Sequence, residues 1–258
     1  MTAAARVAWL IGRRNVLNVF RIPGNIITVV GLPVLVLITF GGAFSRMAVL
    51  AGYPRGDPLG WVTPFAVVLG AAFTGLGSAY DVARDVPTGF QDRLLVSPAA
   101  RAALMLGEVL GSIGRAWLQL VTVLVIALPA GVGLHGMAGA IPLLLLASAG
   151  VAAWSGLWAL AVLYRLPSAQ SIGLVTIGIF AVSMLATGQV PVHYQASWLG
   201  AMARVNPMTP VLKMSRQGFL GPVTWSGTWP GLLALVVTAA VLAVLTWASL
   251  RRLGRGAR

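Results

Sequence analysis

Five carboxylates occur in 258 residues: Asp57, Asp81, Asp85, Asp92 and Glu108. Four of the five lie between positions 81 and 108. Two histidines, His135 and His193, and no cysteine complete the groups that commonly carry catalysis or hold a metal. Proton transfer, metal ligation or nucleophilic attack would be their chemistry, and their spacing supports none of these. Neither histidine has an acidic neighbour in sequence, so both read as solvated interface residues and no metal is expected. No thiolate is available, and no Gly-x-Ser-x-Gly elbow presents a serine. The single lysine, Lys213, follows no glycine-rich loop, so ATP is not bound by a Walker A motif. Catalytic residues and cofactors are expected to be absent from this chain.

Glu108 and Arg115 are the ionisable pair most clearly set inside an apolar run. Seven residues apart, they share a helix face but stand roughly 10 Å apart along its axis, too far to pair directly. Arg115 either snorkels to headgroups or pairs with a carboxylate on a neighbouring helix, and Asp81 is nearest in expected depth. Anchoring is the preferred role over gating.

Asp85 and Asp92 belong to the stretch Arg84 to Pro98. It reads as a short helix between two apolar segments. Thr88 with Gln91 fits a capping box, and Phe90 and Leu94 share a face four residues apart. Ser97-Pro98 reads as the start of the next helix. Two readings stay open: an interfacial connector, or a handle gripped by a soluble partner.

The elements that carry these residues are apolar. Hydrophobic residues make up 58% and charged residues 9%, with mean hydropathy +0.89. Soluble domains carry about a quarter charged residues, so this is an integral membrane protein. Net charge is +13. In a soluble chain that would suggest nucleic acid; here the arginines sit at the ends of apolar runs, and no nucleic acid is expected. Arg13 and Arg14 interrupt the early apolar residues, so the first span is expected to be an uncleaved anchor. Abundant Ala, Gly, Val and Arg suggest a bacterial source and the inner membrane.

Residues 1–24 form a basic arm with Arg6, Arg13, Arg14 and Arg21. Its apolar positions make no clean stripe, so it is either an interfacial helix or a solvated, headgroup-binding tail. Six spans of about 20 residues follow, near 25–44, 59–80, 103–129, 138–163, 169–188 and 229–250. Pro33 lies inside the first. The fifth is rich in Ser171, Thr176, Ser183 and Thr187. Residues 82–97 form the charged loop. Residues 189–228 are too polar for a span, and read as two short helices, about 198–204 and 210–219. Ser197 and Thr209-Pro210 would start them, and Asn206-Pro207 would break between them. The pair is expected to lie in, or dip into, the interface. Twelve basic residues fall on the side of the termini and the 82–97 loop, against Arg46, Arg55, Arg204, Lys213 and Arg216 opposite. The termini and that loop are therefore expected in the cytosol.

Together the six spans, the basic arm, Gly89-Phe90-Gln91-Asp92-Arg93-Leu94 before Ser97-Pro98 and Arg101, and Asn206-Pro207-Met208-Thr209-Pro210 before Arg216 and Gly221 resemble ABC-2 type permease subunits. The likeness is closest to daunorubicin-resistance-like permeases of antibiotic and lipid exporters. It implies an all-α polytopic fold of six transmembrane helices, with a cytosolic coupling helix and an outer-side hairpin before the last span. It implies a permease for a hydrophobic or amphipathic substrate, a drug, antibiotic or lipid. The permease would pair with an identical or sister subunit and sit on two ABC ATPase subunits, which hold the ATP and Mg. Asp85, Gly89, Phe90, Asp92, Arg93 and Leu94 would be the ATPase-coupling residues. Thr28 and the fifth-span Ser171, Thr176, Ser183 and Thr187 would line the substrate path, and Trp198, Asn206 and Pro207 the outer gate. Polysaccharide or glycolipid export, and a stand-alone channel or secondary transporter, are the alternatives.

Overall fold

The computed structural model describes residues 3–45, 57–85, 101–166, 169–189 and 191–256. The chain is helical throughout these residues: α1 Ala3–Arg21, α2 Pro23–Ile26, α3 Leu32–Phe44, α4 Pro58–Asp85, α5 Arg101–Ala127, α6 Met137–Leu163, α7 Ala169–Met184, α8 Ser197–Val205, α9 Met208–Arg216 and α10 Trp225–Gly256. No strand occurs among the described residues. Residues 58–84, 102–127, 139–163 and 225–251 are each long and apolar enough to cross a bilayer. Two shorter apolar helices, 29–44 and 171–184, accompany them.

A π-turn over Ile27–Gly31 joins α2 to α3 and precedes the buried Pro33. A proline has no N–H for the carbonyl four residues back and its ring crowds that carbonyl, so the helix widens by one residue there. Gly70 of α4 accommodates the kinked segment: a Cβ on Gly70 would come within 2.4 Å of Pro33 Cγ and 2.7 Å of Gln119 Cδ. Pro64, Pro142 and Pro230 perturb less, because each lies close behind the first turn of its helix, where few backbone bonds are at stake.

Helix α4 is the centre of the bundle. Of its span 89% is buried, against 17% for α10. The difference is one of position: α4 packs against α3, α5, α6, α7 and α9, whereas α10 packs mainly against α6 and α9. Glycines of α4 let neighbouring backbones approach closely where no hydrophobic force drives helices together. At Gly75 a Cβ would stand 2.4 Å from the Gly156 nitrogen of α6. Asp57 accepts the Gly60 N–H at 2.8 Å, with Pro58 opening the helix, so α4 starts from a capped end.

The arm is a helix packed along α5, which excludes the solvated-tail alternative. Ala8, Ile11, Gly12, Asn15 and Val19 are its buried positions, a helical stripe that mixes apolar, small and polar residues. Gly107 and Gly111 of α5 face it: their Cβ atoms would stand 2.7 Å from Ile11 Cβ and Asn15 Cβ. Trp9, Leu10 and Phe20 stay exposed on the other side.

The short helices near 189–228 depart from expectation in two ways. Helix α9 is packed inside the protein, with Met208, Thr209, Val211, Leu212, Met214, Ser215 and Arg216 all buried. Only α8 keeps a surface character, through Trp198, Met202 and Val205. The start of α9 is set by Asn206 and not by Thr209-Pro210: the Asn206 carboxamide oxygen accepts the Met208 N–H at 2.9 Å. Helix α8 begins at Ser197 itself, with no side-chain cap.

Candidate functional site

Two polar clusters sit at opposite ends of α4. The first lies where α4 and α5 flank residues 86–100, here the loop end. Arg115 of α5 donates to Asp81 of α4 at 2.6 Å, and both side chains are about 95% buried (5% and 4% exposed). Arg84, one turn on, donates to the other oxygen of Asp81 at 2.7 Å. Gly77 creates the space, since a Cβ there would lie 2.9 Å from the Arg115 Cζ. Glu108 does not meet Arg115. It accepts from Asn15 of α1 at 2.8 Å. Ser78 and Ser112 hydroxyls, 2.8 Å apart, link the two halves, and Ser112 also donates to the Glu108 carbonyl. Helical spacing produces this ladder: Ser78 and Asp81 are three apart, and Glu108, Ser112 and Arg115 fall four and three apart. Burying such charges is costly unless they are paired and hydrogen-bonded, as they are here.

A cavity of about 510 Å³ opens beside this cluster. Val29 and Leu32 of the first span, Tyr80, Asp81 and Arg84 of α4, Arg115 and Thr176 of α7 line it. It thus joins the segment from α2 to α3 with α4, α5 and α7 around one polar floor.

The second cluster is at the hairpin end, around α8 and α9. Arg216 is 4% exposed. Its Nη1 donates to the Thr187 carbonyl at 2.7 Å, its Nη2 to the Gly188 carbonyl at 2.6 Å and its Nε to the Trp61 carbonyl at 3.2 Å. The guanidinium stands 3.6 Å from the centroid of the Trp61 ring. These carbonyls follow the end of α7 and point their oxygens at the guanidinium, so the buried cation is held by charge-assisted hydrogen bonds. Asn206 adds a second tie, donating to the Val182 carbonyl at 2.7 Å. His135 joins the same region through its Nδ1–H, held 2.7 Å from the Phe219 carbonyl.

The family model described as ABC-2 type transporter matches residues 6–220. The chain belongs to the ABC-2 type transporter family. The matched stretch runs from α1 to just past α9 and holds both polar clusters. The protein is a membrane permease of an ABC-type system, and permeases of this family work with ABC ATPase partners. No curated protein matches the chain significantly.

In this ABC-2 permease, the residues singled out for coupling fall at the root of the loop or beyond the described chain. Asp85 is the last residue of α4. Gly89, Phe90, Asp92, Arg93 and Leu94 lie outside the described residues. Thr28 falls in the π-turn, and its side chain is likewise outside. The fifth-span hydroxyls do not gather around one passage. Ser171 donates to the Leu166 carbonyl, Thr176 to Ile172 at 2.8 Å and Ser183 to Ile179 at 2.7 Å. Thr176 lines the loop-end cavity, whereas Ser183 lines an apolar one of about 230 Å³ with Trp158 and Met208. Thr187 belongs to the Arg216 cluster. Of the gate residues, Asn206 is buried and bonded, while Trp198 is 63% exposed.

Sequence reasoning missed Arg216, Trp61 and Asn15. The sequence presents Arg216 as an outer-side charge in a short helix and as part of the stretch that carries the family resemblance, not as a buried tie. Yet Met208, Val211, Leu212 and Ser215 make a helical stripe, and Arg216 continues it.

Proposed function

We infer that the permease serves an ATP-driven exporter for a hydrophobic or amphipathic substrate, a drug, antibiotic or lipid. Separate ATPase subunits dock on residues 82–97, and a second permease, identical or a sister, completes the pathway. ATP and Mg belong to the ATPase. The termini and the loop face the cytosol of a bacterial cell. The observation that carries the reading is the Arg84–Asp81–Arg115 bridge, set in the last turns of α4 directly before the loop. A push on the loop reaches a rigid α4, and through Asp81 it reaches α5 and the cavity of about 510 Å³. Phe90 and Leu94 form the apolar contact with the ATPase, while Asp85, Asp92 and Arg93 set its register.

The test is co-purification of the permease with its ATPase, wild type against Phe90→Ala plus Leu94→Ala. Loss of the complex and of substrate-stimulated ATP hydrolysis is expected. Unchanged binding and hydrolysis would place the handle elsewhere.

A further inference from the structure

The largest cavity described lies at the hairpin end, with a volume of about 860 Å³. Arg204 of α8, Lys213 of α9 and Arg216 all line it. Arg204 and Lys213 are exposed, and neither forms an ion pair among the described residues. The chain can offer them little. Four of its five carboxylates belong to positions 81–108, and the fifth, Asp57, caps α4. This cavity is therefore positively charged by composition, not by a choice of rotamers.

Two further groups indicate a ligand. Thr187 and Thr209 are 4% and 5% exposed, and both line the cavity. Neither hydroxyl has a hydrogen-bond partner. A buried hydroxyl without a partner is destabilising, so a group that satisfies it gains affinity. Arg216 contributes charge only, because its nitrogens hold the Trp61, Thr187 and Gly188 carbonyls. The remaining walls include Trp61, Pro191, Val192, Leu220 and Pro230, which are apolar.

We propose that this cavity is a binding site for a phosphate-bearing amphiphile of net negative charge. The phosphate lies between Arg204 and Lys213, where two cations offer charge-assisted hydrogen bonds, and accepts from Thr209 and Thr187 once their hydroxyls, enclosed without a ligand, turn toward the cavity. The apolar walls take the adjoining part of the molecule. The site does not depend on the transport reading, since binding here requires neither ATP nor the ATPase.

The experiment is calorimetric titration of the purified permease in a neutral detergent. The probes are dihexanoyl-phosphatidylglycerol, dihexanoyl-phosphatidylcholine and inorganic phosphate. Phosphatidylglycerol is expected to bind at least about tenfold more tightly than the choline lipid, whose own cation opposes the site. Arg204→Gln plus Lys213→Gln should weaken it about tenfold or more with an unchanged thermal midpoint, because both side chains are exposed. Thr209→Val should weaken it roughly threefold. Phosphate binding as tightly as the anionic lipid would overturn the amphiphile and leave a free-anion site. Equal binding of the two lipids, or wild-type binding by the double variant, would overturn the site itself. A defect in ATPase docking leaves this result unaltered, and the reverse also holds.

Discussion

Arg216 lies 3.6 Å from the centre of the Trp61 ring and at the same time holds the Trp61 carbonyl. One side chain of α9 thus grips both the backbone and the ring of a residue in the first turn of α4. Its other nitrogens secure the segment that follows α7. Three elements distant in sequence are fastened at a point where α7 has run out of its own hydrogen bonds.

Arg216→Lys keeps the charge but loses the planar fork, and one ammonium cannot reach three carbonyls set around a guanidinium. A loss of about 2–3 kcal/mol is expected from the hydrogen bonds to a charged group. The check is the unfolding midpoint in detergent. Trp61→Phe should be milder, because a smaller ring still faces the cation.

Asp81→Asn leaves Arg115 buried without its carboxylate, and should cost about 3–5 kcal/mol. Removing both charges, as Asp81→Asn with Arg115→Gln, should restore most of that stability. A double variant as unstable as the sum of its parts would mean that the two side chains act independently. Transport measured in the restored double variant then tells anchoring from gating.

Asn206 performs two tasks that substitution can separate. Asn206→Asp keeps the oxygen that caps Met208 and loses the donor to the Val182 carbonyl. Asn206→Ala loses both. The alanine variant should fall by about 2 kcal/mol and the aspartate variant by less if the cap dominates, read from their denaturation midpoints.

Gly111→Val would drive a Cβ to 2.7 Å from Asn15 Cβ. Overpacking of this kind costs about 1–3 kcal/mol, and the simplest relief is separation of α1 from α5. Trypsin cleavage at Arg13 and Arg14 should then accelerate several-fold over wild type, followed by mass spectrometry of the released peptide.

The four long apolar helices were legible because an apolar run of membrane length has few other readings. Asp81 and Arg115 were legible because a charge in such a run needs a partner, and carboxylates are scarce in this chain. The placing of α1 was not. Its buried stripe alternates Ala8 and Gly12 with Ile11 and polar Asn15, and a search for apolar residues alone passes over it. Arg216 was obscured by its setting. Residues 189–228 mix polar and apolar types, the composition of an interfacial segment, whereas α9 packs inward against α4, α6 and α10. The hydroxyls of α7 have a local explanation. Ser171, Thr176 and Ser183 bond to backbone carbonyls of the same helix or the turn before it, as serine and threonine commonly do.

The described stretch of helix α7 has 16 residues. At 1.5 Å each it covers about 24 Å, short of the roughly 30 Å hydrocarbon core of a bilayer. Leu174, Ile177 and Phe180 point outward along it, exposed at 57%, 68% and 52%. Lipid beside this helix must compress to match it, at a fraction of a kcal/mol for each ångström of mismatch. Covering that side with another protein relieves the compression. Bilayer thickness therefore acts on this permease as a thermodynamic variable: thicker membranes favour association along α7, and thinner ones favour its exposure to lipid.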